Sequence, residues 1–101
     1  MVSSLSVCEL IELPLEVVQA ASIEWGVAID GYLVDAARVG DRFTASVYCD
    51  LSRVHSDGMT VVTPQVQALR QVSGFKLVRS RTGRDHYVIV SELTTADLGE
   101  T

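Results

Sequence analysis

Asparagine is missing from this sequence, and lysine occurs once, as Lys76, against seven arginines. That bias fits a GC-rich genome and carries no mechanism. Cys8, Cys49, His55 and His86 are the only cysteines and histidines, and no CxxC or HxxxH spacing joins them, which leaves no recognisable metal site. Neither GxGxxG nor GxxxxGKS/T occurs, so there is no nucleotide cradle to argue and no cofactor is expected. No run approaches the ~18 uncharged apolar residues of a membrane span. Glu9 and Glu12 interrupt an N-terminal stretch with no base ahead of its apolar residues, and this is not the pattern of a signal peptide. The expectation is a cytoplasmic protein whose two cysteines are buried small hydrophobes rather than a bridge.

What is present describes one folded domain. A chain of 101 residues with 48% apolar and 21% charged residues has the composition of a globular protein and buries roughly 60–65% of its unfolded surface. The net charge of −5 hides an asymmetry. Residues 1–37 contain Glu9, Glu12, Glu16, Glu24, Asp30 and Asp35 and no base, whereas all eight bases fall between Arg38 and Arg84. From Gly58 to Arg84 five bases (Arg70, Lys76, Arg79, Arg81, Arg84) meet no acid, and the peak of this block is RSRTGRDHY, residues 79–87.

Hydrophobic periodicity assigns the elements. SLSVCELIEL, residues 4–13, reads as a strand. Pro14 as a helix start, Glu16 in the first turn and Gly26 past the end predict a helix over 14–25, with Pro14, Val17, Val18, Ala21 and Trp25 forming its core stripe. Glu16, Gln19 and Ile23 occupy the opposite face, where Ile23 is either covered by another strand or contacts a partner. VAIDGYLV predicts a hairpin turning at Asp30 and Gly31. RFTASVYC alternates cleanly, which points Phe43, Ala45, Val47 and Cys49 inward. A second Asp-Gly turn at Asp57 and Gly58 leads into a strand ended by Pro64. QVQALRQV reads as a strand, although a short helix also fits, and residues 75–81 and 86–92 form a last hairpin with its tip at 82–85.

The expected fold is α+β: one N-terminal helix packed on an antiparallel, strongly curved or partly rolled sheet of five or six strands. Residues 1–92 form a single domain, and 93–101 an acidic tail.

Catalytic chemistry finds little support. Cys49 with His55, or a serine with His86 and Asp85, are the available nucleophile and base pairs, and none has the spacing of a known motif. Asp85 and His86 are neighbours and point to opposite faces of a strand. No enzyme activity is expected. Binding surfaces remain: Arg79, Arg81 and Arg84 as a basic ribbon at the hairpin tip, and Glu16, Glu24 and Ile23 as an acidic docking face with one apolar contact. The partner expected for them is a protein, or a second copy pairing opposite charges. The alternative is a nucleic-acid-binding β-ribbon using Arg70, Lys76, Arg79, Arg81 and Arg84, against which overall acidity and the lack of interleaved aromatics weigh.

The segment from Asp57 to Val90, DGMTVVTPQV followed by GFKLVRSRTGRDHYVIV, resembles a pattern of small bacterial and phage proteins of unknown function, in which a turn, V-x-T and a Gly-to-Tyr hairpin follow one another. In size, acidity and lack of a catalytic motif the whole chain resembles small phage or mobile-element proteins that block bacterial defence systems, including anti-CRISPR inhibitors. That likeness implies a non-enzymatic inhibitor that works by binding a protein.

Overall fold

A computed structural model describes residues 13–93. The strand expected over 4–13 lies, except for Leu13, outside the described residues, as does the tail expected over 93–101, except for Leu93. Within them, α1 (Leu15–Ala21) is followed by β1 (Gly31–Val39), β2 (Arg42–Tyr48), β3 (Met59–Val62), β4 (Val66–Val72), β5 (Phe75–Ser80) and β6 (His86–Ile89). The protein is α+β, with one described helix and a six-stranded sheet in the order β3-β2-β1-β6-β5-β4.

The sheet is mixed, and this corrects the antiparallel expectation. β6 runs parallel to β1, placing Gly31, Tyr32 and Leu33 opposite Tyr87, Val88 and Ile89. Four ladders, β1–β2, β2–β3, β4–β5 and β5–β6, are antiparallel. The parallel contact continues past β6, where Val90 N–H donates to Leu33 O, Ala36 N–H to Ser91 O and Leu93 N–H to Ala36 O. Long-range pairing also removes the hairpin expected at Asp30 and Gly31. Asp30 N–H donates to His86 O, and its Oδ2 accepts His86 N–H at 2.8 Å. A locally favoured Asp-Gly turn thereby becomes the start of β1.

β3 and β4 lie at opposite edges of the sheet, yet only residues 63–65 join them. In a flat sheet those edges would stand about 24 Å apart, whereas the linking peptides reach at most about 14 Å. The sheet therefore bends, and the chain turns a corner from one half to the other. Thr63 N–H donates to Phe43 O, Phe43 N–H to Thr63 Oγ1, Val66 N–H to Asp41 O and Arg81 N–H to Gln65 O. These bonds fold the β1–β2 hairpin end toward the start of β4. A register shift in β1 between Val34 and Ala37, with Asp35 at φ 55°, supplies part of the bend. No ladder joins β3 to β4, so the sheet stays open.

Each face has its own core. Inside the bend, Leu33, Ala36, Phe43, Ala45, Val47, Val66, Val78 and Ile89 pack together, with Val61 and Tyr87 at the margin. The inward side of RFTASVY is as the alternation predicts. On the other face α1 lays Val17 and Ala20 over Tyr32, Leu77, Val88 and Val90, and Trp25 joins them.

The helix is shorter than expected and turned differently. Val18 and Ala21 of the predicted stripe are exposed while Ala20 is buried. Ser22 ends the helix, its Oγ donating to Gln19 O, and Trp25 lies beyond that end with its indole N–H reaching back to Ala20 O at 3.0 Å. Cys49 is a further correction. It is exposed, and β2 stops before it, at a backbone φ of 57° that breaks the alternation.

Candidate functional site

The predicted basic ribbon stops where β5 stops. Arg79, opposite His86, still belongs to the strand and is half-buried on the side of Leu77 and Phe75. Arg81 lies in the turn after Ser80, and its Nη2 reaches Asp41 at 3.4 Å. Arg84 is exposed near the hairpin tip. The rest of the basic block is engaged elsewhere. Lys76 pairs with Glu92 at 2.9 Å, and Arg70 donates to Trp25 O at 2.7 Å while its guanidinium lies over the indole. Arg79 and Arg84 make no ion pair among the described residues.

The acidic candidates also separate. Glu16 and Glu24 are exposed, the first on α1 and the second beyond it. Ile23 is half-buried against the helix-side core, which accounts for an apolar residue at that position.

A different locus has more structure. The connection from β2 to β3, residues 49–58, is organised by Asp50. Its carboxylate, 11% exposed, accepts His55 N–H at 2.8 Å, Ser52 N–H at 3.2 Å, the Ser52 hydroxyl at 3.0 Å and His55 Nδ1 at 3.1 Å. The His55 backbone bond is the largest influence holding the Asp50 carboxyl below its usual range, helped by Ser52 and the His55 ring. Leu51 N–H donates to Asp30 O, and Asp57 Oδ1 accepts Cys49 N–H. The connection is thus tied to the start of β1.

Between this connection, β3 and the start of β6 lies a cleft of about 180 Å³ lined by Asp30, Val47, Asp50, Ser52, His55, Val61, Val62, Thr63, Asp85 and Tyr87. It contains three carboxylates and no lysine or arginine. Tyr87 lies within their field. Burial first, and then the charges of Asp85, Asp30 and Asp50, push its phenol up to about 12.

Serine, histidine and aspartate meet here, but in the wrong order for nucleophilic catalysis. Ser52 donates to the carboxylate, whereas an activated serine donates to the imidazole. Cys49 offers no better nucleophile, because partial desolvation of the sulfur, and then the nearby Asp57 charge, raise its pKa. Among the described residues no group of three or more His, Cys, Asp and Glu is placed to hold a metal ion. What the cleft does chemically is concentrate negative charge beside an aromatic ring.

β3, which forms one wall of the cleft, is an edge strand among the described residues. The bond from Thr63 N–H to Phe43 O fixes the alternation of the β2–β3 ladder, so the backbone N–H and C=O of Thr60 and Val62 point away from β2. Met59-Thr60-Val61-Val62 carries no charge, proline or bulge, and Val62 is 66% exposed. The neighbouring connection exposes Leu51 and Val54, the latter at 72%. The other edge, β4, differs: it has a register shift between Ala68 and Arg70 and exposes Gln67, Arg70 and Gln71, features that discourage pairing.

Sequence reading did not find this cleft, because its residues come from five separate parts of the chain. Asp50-x-Ser52 is the one local signal for it, a side chain capping its own turn.

Fold and site together define a small α+β protein with an open mixed sheet and an acidic cleft at one edge that is unpaired among the described residues. No family model, curated protein or solved structure matches the chain.

Proposed function

We propose that this protein is a non-enzymatic protein-binding module that engages its partner along the outer edge of β3. The carrying observation is that β3 presents the outward backbone groups of Thr60 and Val62 with no charge, proline or bulge to deter pairing, beside exposed Val54, Leu51 and Met59. An edge of this kind accepts an extended segment as an added strand, with backbone bonds giving affinity and side-chain pockets giving selectivity. An inhibitor of a bacterial defence system, the role implied by the chain's resemblance to small phage and mobile-element proteins, would act by occupying such a segment of its target. Arg84, Glu16 and Glu24 stay exposed to shape the long-range field.

The test is comparative capture from bacterial lysates. Wild type and an Arg79→Ala/Arg84→Ala variant are expected to retain the same protein, and Val62→Lys to lose it while its circular dichroism is unchanged. A partner lost with the arginines and retained by Val62→Lys would move the interface to the hairpin tip. Absence of any captured protein would remove the proposal.

A further inference from the structure

Resting on that reading, we infer that the segment taken up along β3 carries a basic residue, arginine or lysine, whose charged head enters the cleft between Asp30, Asp50 and Asp85. Side chains of an added strand alternate between the two faces of the sheet. Those on the side of Val61 face the inner core and the ring of Tyr87, which is the side on which the cleft lies. A head group arriving there meets three carboxylates and no lysine or arginine among the lining residues, and the one basic side chain there, His55, is taken up by Asp50. The aromatic face of Tyr87 adds an attraction that a guanidinium or ammonium satisfies and a neutral side chain does not.

Size supports the same occupant. At about 180 Å³ the cleft is well below the roughly 300–1,000 Å³ typical of small-molecule sites, so it accommodates one side chain rather than a metabolite. A second copy of this chain is a poor occupant. Its own β3, Met59-Thr60-Val61-Val62, supplies no base, and pairing the two edges would bring two acidic clefts together. On the incoming segment, β-branched residues flanking the base would suit the strand geometry and cover Val62 and Val54.

The experiment uses a random dodecapeptide display library as the probe and the full chain as bait, followed by titration of the enriched peptide in synthetic form. The expected consensus is an arginine or lysine at one register position between alternating β-branched or apolar residues. Replacing that base by glutamine in the peptide should weaken binding at least tenfold. Asp85→Asn should weaken the basic peptide severalfold and leave the glutamine peptide unaffected. The Asp85 side chain makes no hydrogen bond within the described residues, so this change spares the fold, and the peptide replacement leaves the protein untouched.

A consensus without a base, or equal binding of the arginine and glutamine peptides, overturns the inference. If Val62→Lys still abolishes that binding, the edge reading survives. No enrichment at all, or enrichment indifferent to Val62→Lys, overturns both.

Discussion

A Cβ at position 31 would stand 2.9 Å from Val47 Cγ2, and Val47 is itself buried. Gly31 is therefore required by close approach rather than by an unusual backbone angle, and Gly31→Ala should lower stability by about 1–3 kcal/mol through overpacking, read as a lower urea midpoint. Tyr87 gives a second prediction at this scale. Its folded pKa of about 12 exceeds the unfolded value of about 10, so the folded state holds the phenolic proton more tightly. The associated stability is present below pH ~10 and is lost as pH rises from about 10 to 12. Tyr87→Phe should flatten that alkaline limb in denaturation curves collected across the range.

At the scale of elements, the β4–β5 turn has both central residues, Ser73 and Gly74, at positive φ, 53° and 86°. Serine is strained there, and asparagine tolerates the left-handed region better. Ser73→Asn should raise stability by a few tenths to about 1 kcal/mol, visible as a higher melting temperature.

The elements legible in the sequence are those whose signals are local. Phe43, Ala45 and Val47 alternate because one face of β2 is core; Asp57-Gly58 punctuates the chain before β3; Pro64 ends that strand. The parallel pairing of residues 31–33 with 87–89 has no local signature, and it overrode the Asp30-Gly31 turn. Cys49 was misread because the period-two pattern carries no warning that the strand ends one residue earlier. The charge block over Arg70 to Arg84 was real in sequence, but Asp41, Glu92 and the carbonyls of Glu24 and Trp25 draw Arg81, Lys76 and Arg70 away from one another. The cleft was hidden for the same reason as the parallel pair: its walls meet only after the sheet has bent.

At the scale of the whole molecule, the two cores share the strands between them. Leu33 faces the inner core and Tyr32 the helix side, and Ile89 and Val88 divide in the same way. Losing either core should release the other. Phe43→Ala, in the inner core, should cost about 3–5 kcal/mol. Fluorescence of Trp25, the sole tryptophan, which sits in the opposite core, should report the same shifted midpoint as far-UV circular dichroism. Separate transitions for the two probes would show the cores to be independent.

β6 stands between β1 and β5 although it is the last of the described strands. Without it, the described strands divide into two groups, β3-β2-β1 and β5-β4, with no ladder between them. A ribosome would thus deliver most of this protein as two halves with a vacant slot, and a premature stop ahead of His86 would leave the slot unfilled. Residues 86–89 act as a keystone: the arch beside them is laid first and stands only when they are set.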